Sequence, residues 1–150
     1  MMNNNPVEIV EFDNQKHREQ VITLWQEVFG YKAERNSPKV AIDKKISVDD
    51  GLFFVAISHD LVVGTVLAGY DGHRGWIYSM AVNHKHQKKG IGSALLAHAE
   101  RRLASLGCVK INLQILDGNE AVQRFYQANG YLTEKRISMG KQLVENIENS

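Results

Sequence analysis

The chain has 150 residues, a length typical of one domain with its own hydrophobic core. Charged residues make up 23% of the sequence and the formal net charge is +1, so no overall field favours nucleic acid or an anionic membrane as a partner. The single cysteine, Cys108, excludes an internal disulfide framework and a four-cysteine zinc site, and it suits a reducing compartment.

Signals for export or membrane insertion do not stand out. The stretch MMNNNPVEIV has no basic segment followed by an apolar one, so no signal peptide is expected there. The longest apolar runs, such as LVVGTVLAGY, are too short to span a bilayer. We therefore expect a cytoplasmic protein in which residues 1–150 form one domain, with residues 1–6 and 141–150 loose or peripheral.

The first half of the chain predicts a strand, two helices and three further strands. Alternating apolar and charged residues indicate a strand over residues 7–12. A helix follows, with Asp13 or Asn14 as its cap and Gly30 at its end. A second short helix is expected over residues 37–48. The runs LFFVAIS, LVVGTVLAGY and WIYSMAV then predict three strands.

The second half predicts two helices and two strands. Apolar residues recur at steps of three and four from Ile91 to Leu106, as in an amphipathic helix, and Gly107 ends the pattern. A strand is expected over residues 109–116, a short helix over 118–130 and a last strand over 131–140. The expected architecture is α/β (α+β), a mixed sheet of about six strands flanked by about four helices.

A loop with lysines and glycines stands directly before the longer of these helices, in NHKHQKKGIGSALLAHAE. The first turn of a helix has N–H groups without intrahelical partners, and the helix dipole adds positive potential there. Gly90 and Gly92 would let the backbone approach a ligand closely, and Lys88 and Lys89 would add positive charge. The loop is a candidate phosphate site; an exposed loop and a helix start are the simpler interpretation.

Two common phosphate-binding motifs do not fit. A dinucleotide fingerprint would require glycine where Leu95 stands. The G-x-x-x-x-G-K-[ST] pattern of P-loop enzymes appears nowhere in the sequence. We therefore expect neither a nicotinamide dinucleotide nor ordinary P-loop chemistry.

The run QKKGIG, preceded by a strand that ends in MAV, resembles the coenzyme A loop of the GNAT superfamily of N-acetyltransferases. The later stretch NEAVQRFYQANGY resembles that family's helix of the form N-x-x-A-x-x-F/L-Y-x-x-x-G-F/Y. The distance between the two stretches matches, and the expected order of elements fits from about residue 7 to residue 139. The sequence AGYDGHRGWIY further suggests the small bacterial YpeA-type branch.

This resemblance implies an N-acetyltransferase that uses acetyl-CoA and no metal, and transfers the acetyl group to a primary amine by direct attack in a ternary complex. The backbone of the MAV strand would hold the pantetheine arm and polarise the thioester carbonyl, and the loop would hold the pyrophosphate. The residues implied for cofactor binding are Met80, Ala81, Val82, Gln87, Lys88, Lys89, Gly90, Ile91, Gly92, Ser93, Asn119, Phe125 and Tyr126.

The helix with the second motif carries the implied catalytic residue. Tyr126 matches the family's usual acid, which protonates the leaving thiolate, while core packing beside Phe125 is the alternative. Asn119 matches the asparagine that contacts pantetheine, and it is also a natural helix cap.

The general base is not evident from the residues. Some relatives have a glutamate at the position that matches Gln114, and an amide cannot accept the proton. Asp71, His73, Asp117 or an ordered water chain remain candidates, although the two aspartates are equally typical of turns and His73 of a solvated turn. Cys108 is expected to be a small core residue rather than a nucleophile. The histidines of the HKH run, without a carboxylate partner, make a poor metal site.

Two other functional classes stay open. An acyl-CoA-binding module that senses its ligand without turnover would have the same fold and loop. A nucleic-acid binder could use Lys85, Lys88 and Lys89, but the loop lacks aromatic stacking partners and a wider basic face.

The acceptor amine is expected to contact residues 25–48 and the YDGHRG turn. It could be a small molecule, a peptide N-terminus or a protein lysine. Acidic residues in and near these regions favour a cationic amine, although a solvated acidic helix face has the same composition; they are Asp13, Glu27, Glu34, Asp43, Asp49, Asp50 and Asp71. An exposed sheet edge or the last strand offers a surface for a homodimer.

Overall fold

The structure, a computed structural model, describes residues 7–30 and 37–144. Within these residues the strands are β1 (Glu8–Glu11), β2 (Phe53–Ser58), β3 (Leu61–Tyr70), β4 (Gly75–Val82) and β5 (Ile111–Asn112). The helices are α1 (Asn14–Phe29), α2 (Pro38–Val48), α3 (Ile91–Ser105) and α4 (Glu120–Ala128), and a 3-10 turn spans His84–His86.

The strands form one mixed sheet in the order β1-β2-β3-β4-β5. The first four are antiparallel neighbours, and β5 pairs with β4 in parallel. A mixed sheet with helices on it is the α/β architecture that the sequence predicts, with five strands in the described residues where about six were expected.

The first two helices begin where their capping residues predict. Asp13 accepts hydrogen bonds from the backbone N–H groups of Gln15 and Lys16, and Gly30 ends α1 in the left-handed conformation. Ser37 caps α2 by accepting from the backbone N–H of Val40. Both caps satisfy donors that the first helical turn cannot satisfy internally.

The two faces of the sheet bury different helices. On one face, Trp25 of α1 stacks on Phe53 with ring centroids 5.8 Å apart, within a buried cluster that also includes Ile42 of α2. On the other face, a Cβ added at Gly64 would lie 2.9 Å from Cδ1 of Leu95, so α3 packs directly on the backbone of β3. Alternation along β2 and β3 therefore sends successive side chains to the α1/α2 face and to the α3 face.

The chain divides into two compact units, one up to Leu113 and one from Gln114 onward. The expectation of one domain over residues 1–150 remains a prediction. Within residues 7–30 and 37–144, no helix combines the length and apolar character needed to cross a bilayer. Residues 1–6 and most of 141–150, expected to be loose or peripheral, lie outside the described residues, and residues 141–144 are exposed.

The prediction of a last strand over residues 131–140 is wrong, because this segment has no regular secondary structure. The predicted strand over 109–116 is likewise reduced to the two residues of β5. Alternation indicates a strand only where one of its faces is buried, and Leu132, Ile137 and Met139 are all exposed. Side-chain hydrogen bonds, from Gln114 to Ser138 and from Gln123 to Thr133, connect the segment to its own unit.

Candidate active site

A β-bulge interrupts β4 directly before the segment predicted to hold pantetheine. Thr65 pairs with Ala81, and Leu67 pairs with Tyr78. Between these two pairs lies one residue on β3, Val66, and two residues on β4, Ser79 and Met80, which is the pattern of a β-bulge. Ser79 has a φ of +48°, a left-handed conformation that is uncommon for serine. The bulge changes the direction of the strand at Met80, Ala81 and Val82.

The edge of β4 that faces β5 is mostly open to a further partner. β5 pairs with β4 only at Gly75 and Trp76. In the part of the chain that the structure describes, no strand continues this pairing from Ile77 to Val82. An unpaired strand edge offers main-chain N–H and C=O groups to an extended ligand.

The loop after β4 is anchored to the strand at both of its ends. The backbone N–H of Asn83 donates to the carbonyl of Val63 at 2.8 Å, and the Asn83 side chain accepts from the backbone N–H of Lys85 at 2.9 Å. The side-chain amide of Gln87 donates back to the carbonyl of Val82 at 3.2 Å. These bonds place the predicted phosphate loop at the end of β4.

The loop ends at the N-terminus of α3, where the cap residue is a glycine. Gly90, at the cap position of α3, has a φ of +81°, and Lys88 has a φ of +65°. Among the described residues, no side-chain cap accepts a hydrogen bond from the first turn of α3, and this turn carries no acidic residue. The N–H groups at Ile91, Gly92 and Ser93 are therefore the type of donors that a phosphate binds at a helix N-terminus.

The surroundings of Gly90 also suit an anion. Apart from Gly90 and its two chain neighbours, no heavy atom of the described residues lies within 4 Å of a Cβ built at Gly90, so the space above this backbone is open. Lys88 and Lys89 are exposed beside it. Residues 87–93, predicted to bind the pyrophosphate, lie in the same unit as Met80, Ala81 and Val82 and follow them closely in the chain. Their N–H donors and lysine charges fit a diphosphate.

The second motif lies on α4, in the second unit. Asn119 caps this helix by accepting from the backbone N–H of Val122 at 3.3 Å, which confirms its predicted capping role. Tyr126 is only 7% exposed, and its ring contacts those of Phe125 and Tyr131 edge to face, with centroids 5.0 and 5.6 Å away. Burial raises the pKa of Tyr126 to about 12, so this phenol stays protonated at neutral pH.

Among the candidate bases, Asp71 is engaged in its turn. Its carboxylate accepts from the backbone N–H groups of His73 and Arg74, at 2.8 and 2.7 Å, and from the indole N–H of Trp76 at 3.2 Å. These hydrogen bonds, led by that of Arg74, lower the pKa of Asp71 to about 2. A carboxylate with such a low pKa is a weak base, and its role here is to form the turn.

The remaining candidate residues have contacts or exposure that do not single out a general base or a nucleophile. The Gln114 amide donates to the hydroxyl of Ser138, and His73 and Asp117 are exposed. Cys108 is half-buried, and its thiol donates to the carbonyl of Lys110 at 3.3 Å. The described residues contain no group of three histidine, cysteine or acidic side chains placed to hold a metal ion.

Two exposed aromatic side chains on β4 are not evident as site residues from the motifs. Trp76 is 38% exposed and Tyr78 is 44% exposed. Their partners in β3 are Gly69 and Leu67, and Leu67 belongs to the core cluster of α1 and α2, so both rings lie on the α1/α2 face. The ammonium of Lys45 lies 5.5 Å from the centroid of the Tyr78 ring. The sequence signal that could have identified them is the two-residue period of WIYS, which places Trp76 and Tyr78 on the same face of the strand.

Solved structures with the same fold are numerous. The aminoglycoside N-acetyltransferase AAC(6')-Iy in complex with CoA superposes with a TM-score of 0.79 at 15% identity, covering 96% of this chain and 99% of that one. The PaiA N-acetyltransferase from Thermoplasma acidophilum in complex with coenzyme A has a TM-score of 0.75 at 18% identity, with 88% and 93% covered. A GNAT-family acetyltransferase from Staphylococcus aureus Mu50 has a TM-score of 0.73 at 23% identity, with 87% of each chain covered.

Identities this low show the shared fold, while the sequence itself shows the family. The model of the acetyltransferase (GNAT) family matches residues 18–131. This match begins within α1 and includes the whole of the loop after β4 and the α4 motif. The chain therefore belongs to the acetyltransferase (GNAT) family, and it is an acyltransferase whose acetyl donor is acetyl-CoA.

Proposed function

We propose that this protein is an N-acetyltransferase that transfers the acetyl group of acetyl-CoA to a primary amine by direct attack in a ternary complex. The observation that carries this proposal is the uncapped N-terminus of α3, with its left-handed cap residue Gly90, at the end of the open edge of β4. A diphosphate and an extended arm require these two features side by side. Two of the fold neighbours are N-acetyltransferases in complex with CoA, which supports the same interpretation.

In this proposal the loop binds the diphosphate of the cofactor. The backbone N–H groups of residues 87–93 donate to the phosphate oxygens, and the side chains of Lys88 and Lys89 add charge. The pantetheine arm pairs with the backbone of Met80, Ala81 and Val82. Asn119 and Phe125 are assigned to the same arm on the family motif that they match.

The cofactor supplies an activated thioester, and the chain supplies donors to its carbonyl. An N–H group at Ala81 or Val82 stabilises the negative charge that develops on the carbonyl oxygen when the amine attacks. A donor fixed in advance is effective because it needs no reorganisation during the reaction. The bulge at Ser79 is what directs this end of β4.

Tyr126 is assigned the role of general acid. This role rests on the match of Tyr126 to the family motif, and the phenol is protonated at neutral pH, as a proton donor to the leaving sulfur must be. For the proton of the attacking amine we favour water, since Gln114 carries an amide and the carboxyl group of Asp71, with a pKa of about 2, is a weak base.

The acceptor site is proposed on the α1/α2 face of β4. The Trp76 and Tyr78 rings are exposed there, and the Asp71 carboxylate fixes the Trp76 indole through a hydrogen bond of 3.2 Å. Aromatic rings next to a permanent carboxylate favour an amine that approaches as a cation. Small amines, peptide N-termini and protein lysines all satisfy this description.

Three finer assignments belong to the proposal as well. The YpeA-type branch rests on the sequence AGYDGHRGWIY alone. A cytoplasmic location is supported by the lone Cys108, which suits a reducing compartment. A homodimer remains a prediction from the sequence.

Calorimetric titration with acetyl-CoA, and with NAD as a negative comparison, tests the proposal. We expect saturable binding of acetyl-CoA and none of NAD, followed by amine-dependent release of free thiol in a screen of small amines and lysine peptides. A folded protein that binds no acetyl-CoA would contradict the assignment of the loop. Binding without thiol release on any amine class would instead favour an acyl-CoA sensor.

A further inference from the structure

Thr65 connects the core of the α1/α2 face to the bulge of β4. Its side chain is fully buried, with 0% exposure. Its hydroxyl accepts a hydrogen bond from the indole N–H of Trp25 at 2.9 Å and donates one to the carbonyl of Ser79 at 3.0 Å. The hydroxyl therefore has one fixed donor and one fixed acceptor, so its orientation is determined.

Ser79, whose carbonyl accepts the hydrogen bond from Thr65, is also the strained residue of the bulge. Ser79 has a φ of +48°, and a left-handed conformation at a residue with a Cβ persists only where its surroundings hold it. Ser79 and Met80 stand outside the regular register of β3 and β4. A hydroxyl that donates to the carbonyl of Ser79 gives this polar group a partner in a partly buried place, where an unpaired carbonyl is costly.

We propose that Thr65 is a positioning residue, which holds the bulge through Ser79 and thereby aims one backbone N–H group, that of Ala81 or Val82, toward the thioester carbonyl. This inference rests on the proposed function, because it concerns the donors that the proposed reaction uses. Thr65 itself does not contact the cofactor in this proposal. Trp25 acts through Thr65, because its indole N–H orients the Thr65 hydroxyl.

The experiment compares Thr65→Val, which keeps the shape and removes the hydroxyl, with Thr65→Ser, which keeps the hydroxyl. The readout is the isotope-edited infrared band of acetyl-CoA labelled with ¹³C at its thioester carbonyl, because a well-placed donor shifts this band to lower frequency. We expect a shifted band in the unchanged protein and in Thr65→Ser, and a return toward the position of free acetyl-CoA in Thr65→Val. Acetyl-CoA affinity should change little, while thiol release with a primary amine should fall on the order of 10- to 100-fold in Thr65→Val.

A matched control separates positioning from stability. Val21→Ala removes a fully buried side chain of α1 in the same core cluster, outside the hydrogen-bond chain. It should lower the melting temperature and leave the infrared band in place. If Thr65→Val does not fold, Trp25→Phe takes its place, since it removes the N–H that orients the hydroxyl; we expect a smaller shift of the band in the same direction.

The outcomes are distinct. The positioning role would be overturned if the infrared band stayed shifted in Thr65→Val, or in Trp25→Phe where that variant takes its place. The proposed function would then still stand. Absence of acetyl-CoA binding in the unchanged protein would overturn the proposed function and this inference with it. Loss of the shift in Thr65→Val, with recovery in Thr65→Ser, supports both.

Discussion

The backbone N–H of Asp13 donates a hydrogen bond of 2.9 Å to Nδ1 of His17, while the Asp13 carboxylate caps the first turn of α1. This bond requires Nδ1 of His17 without a proton. The helix start therefore depends on a histidine in its neutral form. Since α1 supplies Trp25 to the core, the protonation of His17 bears on the stability of the first unit.

We expect the stability of the protein to fall as the pH falls below about 6.5, the ordinary value for histidine. Burial lowers the pKa of His17 and also that of His98, which contacts Phe54. The unfolded chain then binds more protons than the folded one between the folded and unfolded pKa values, so stability is complete above the unfolded value and is lost below it. Thermal unfolding between pH 5 and 8 measures this slope.

His17→Gln should reduce the slope, because glutamine can accept the same backbone bond and does not titrate. The lowered pKa of Asp13 acts in a lower window, below the ordinary carboxyl value of 3.8, so it does not confuse the comparison. An unchanged slope in His17→Gln would show that His17 does not carry this dependence.

Gly90→Asp should abolish the binding of acetyl-CoA. Aspartate adds a negative charge at the helix N-terminus proposed to bind the diphosphate, and its Cβ is strained at a φ of +81°. Gly107→Asp is the matched control, since Gly107 also has a positive φ and open space but lies at the other end of α3. Calorimetry should show no binding for the first variant and ordinary binding for the second. Equal affinities in two folded variants would refute the phosphate assignment.

Tyr126→Phe should reduce turnover by about 10²-fold or more while acetyl-CoA affinity stays the same. The substitution removes the protonated hydroxyl assigned as the acid and keeps the ring packing against Phe125 and Tyr131. Tyr131→Phe, in the same aromatic cluster, is the comparison and should retain most of the activity. Thiol release and calorimetry on the same samples separate the two effects. A Tyr126→Phe enzyme with full turnover would move the acid role to another group.

Lys45→Met should destabilise the fold by about 1–3 kcal/mol. The ammonium of Lys45 is buried, it donates to the carbonyl of Ala68, and it pairs with the carboxylate of Asp50 at 2.9 Å. Methionine would leave both acceptors without this donor. Lys44→Met, at the exposed neighbouring position, should change stability by about 0.5 kcal/mol or less. Urea unfolding measures both variants, and similar values for the two would contradict a structural role for the Lys45 ammonium.

Features that depend on neighbours in the chain were predictable from local sequence patterns. The cap at Asp13, the stop at Gly30 and the periodicity of α3 act within one or two helical turns, so they can be read without knowing the fold. The QKKGIG loop and the NEAVQRFYQANGY helix are local as well, and these two motifs were enough to predict the GNAT family and acetyl-CoA as the donor.

Features that require contacts between distant residues, or a buried face, followed instead from the packing of the chain. The bulge at Ser79 depends on the register between β3 and β4 and on Thr65, 14 residues earlier. The predicted last strand did not form, because its alternating pattern had no buried face to stabilise it. In each case the deciding contact is set by how the chain packs, which local patterns do not encode.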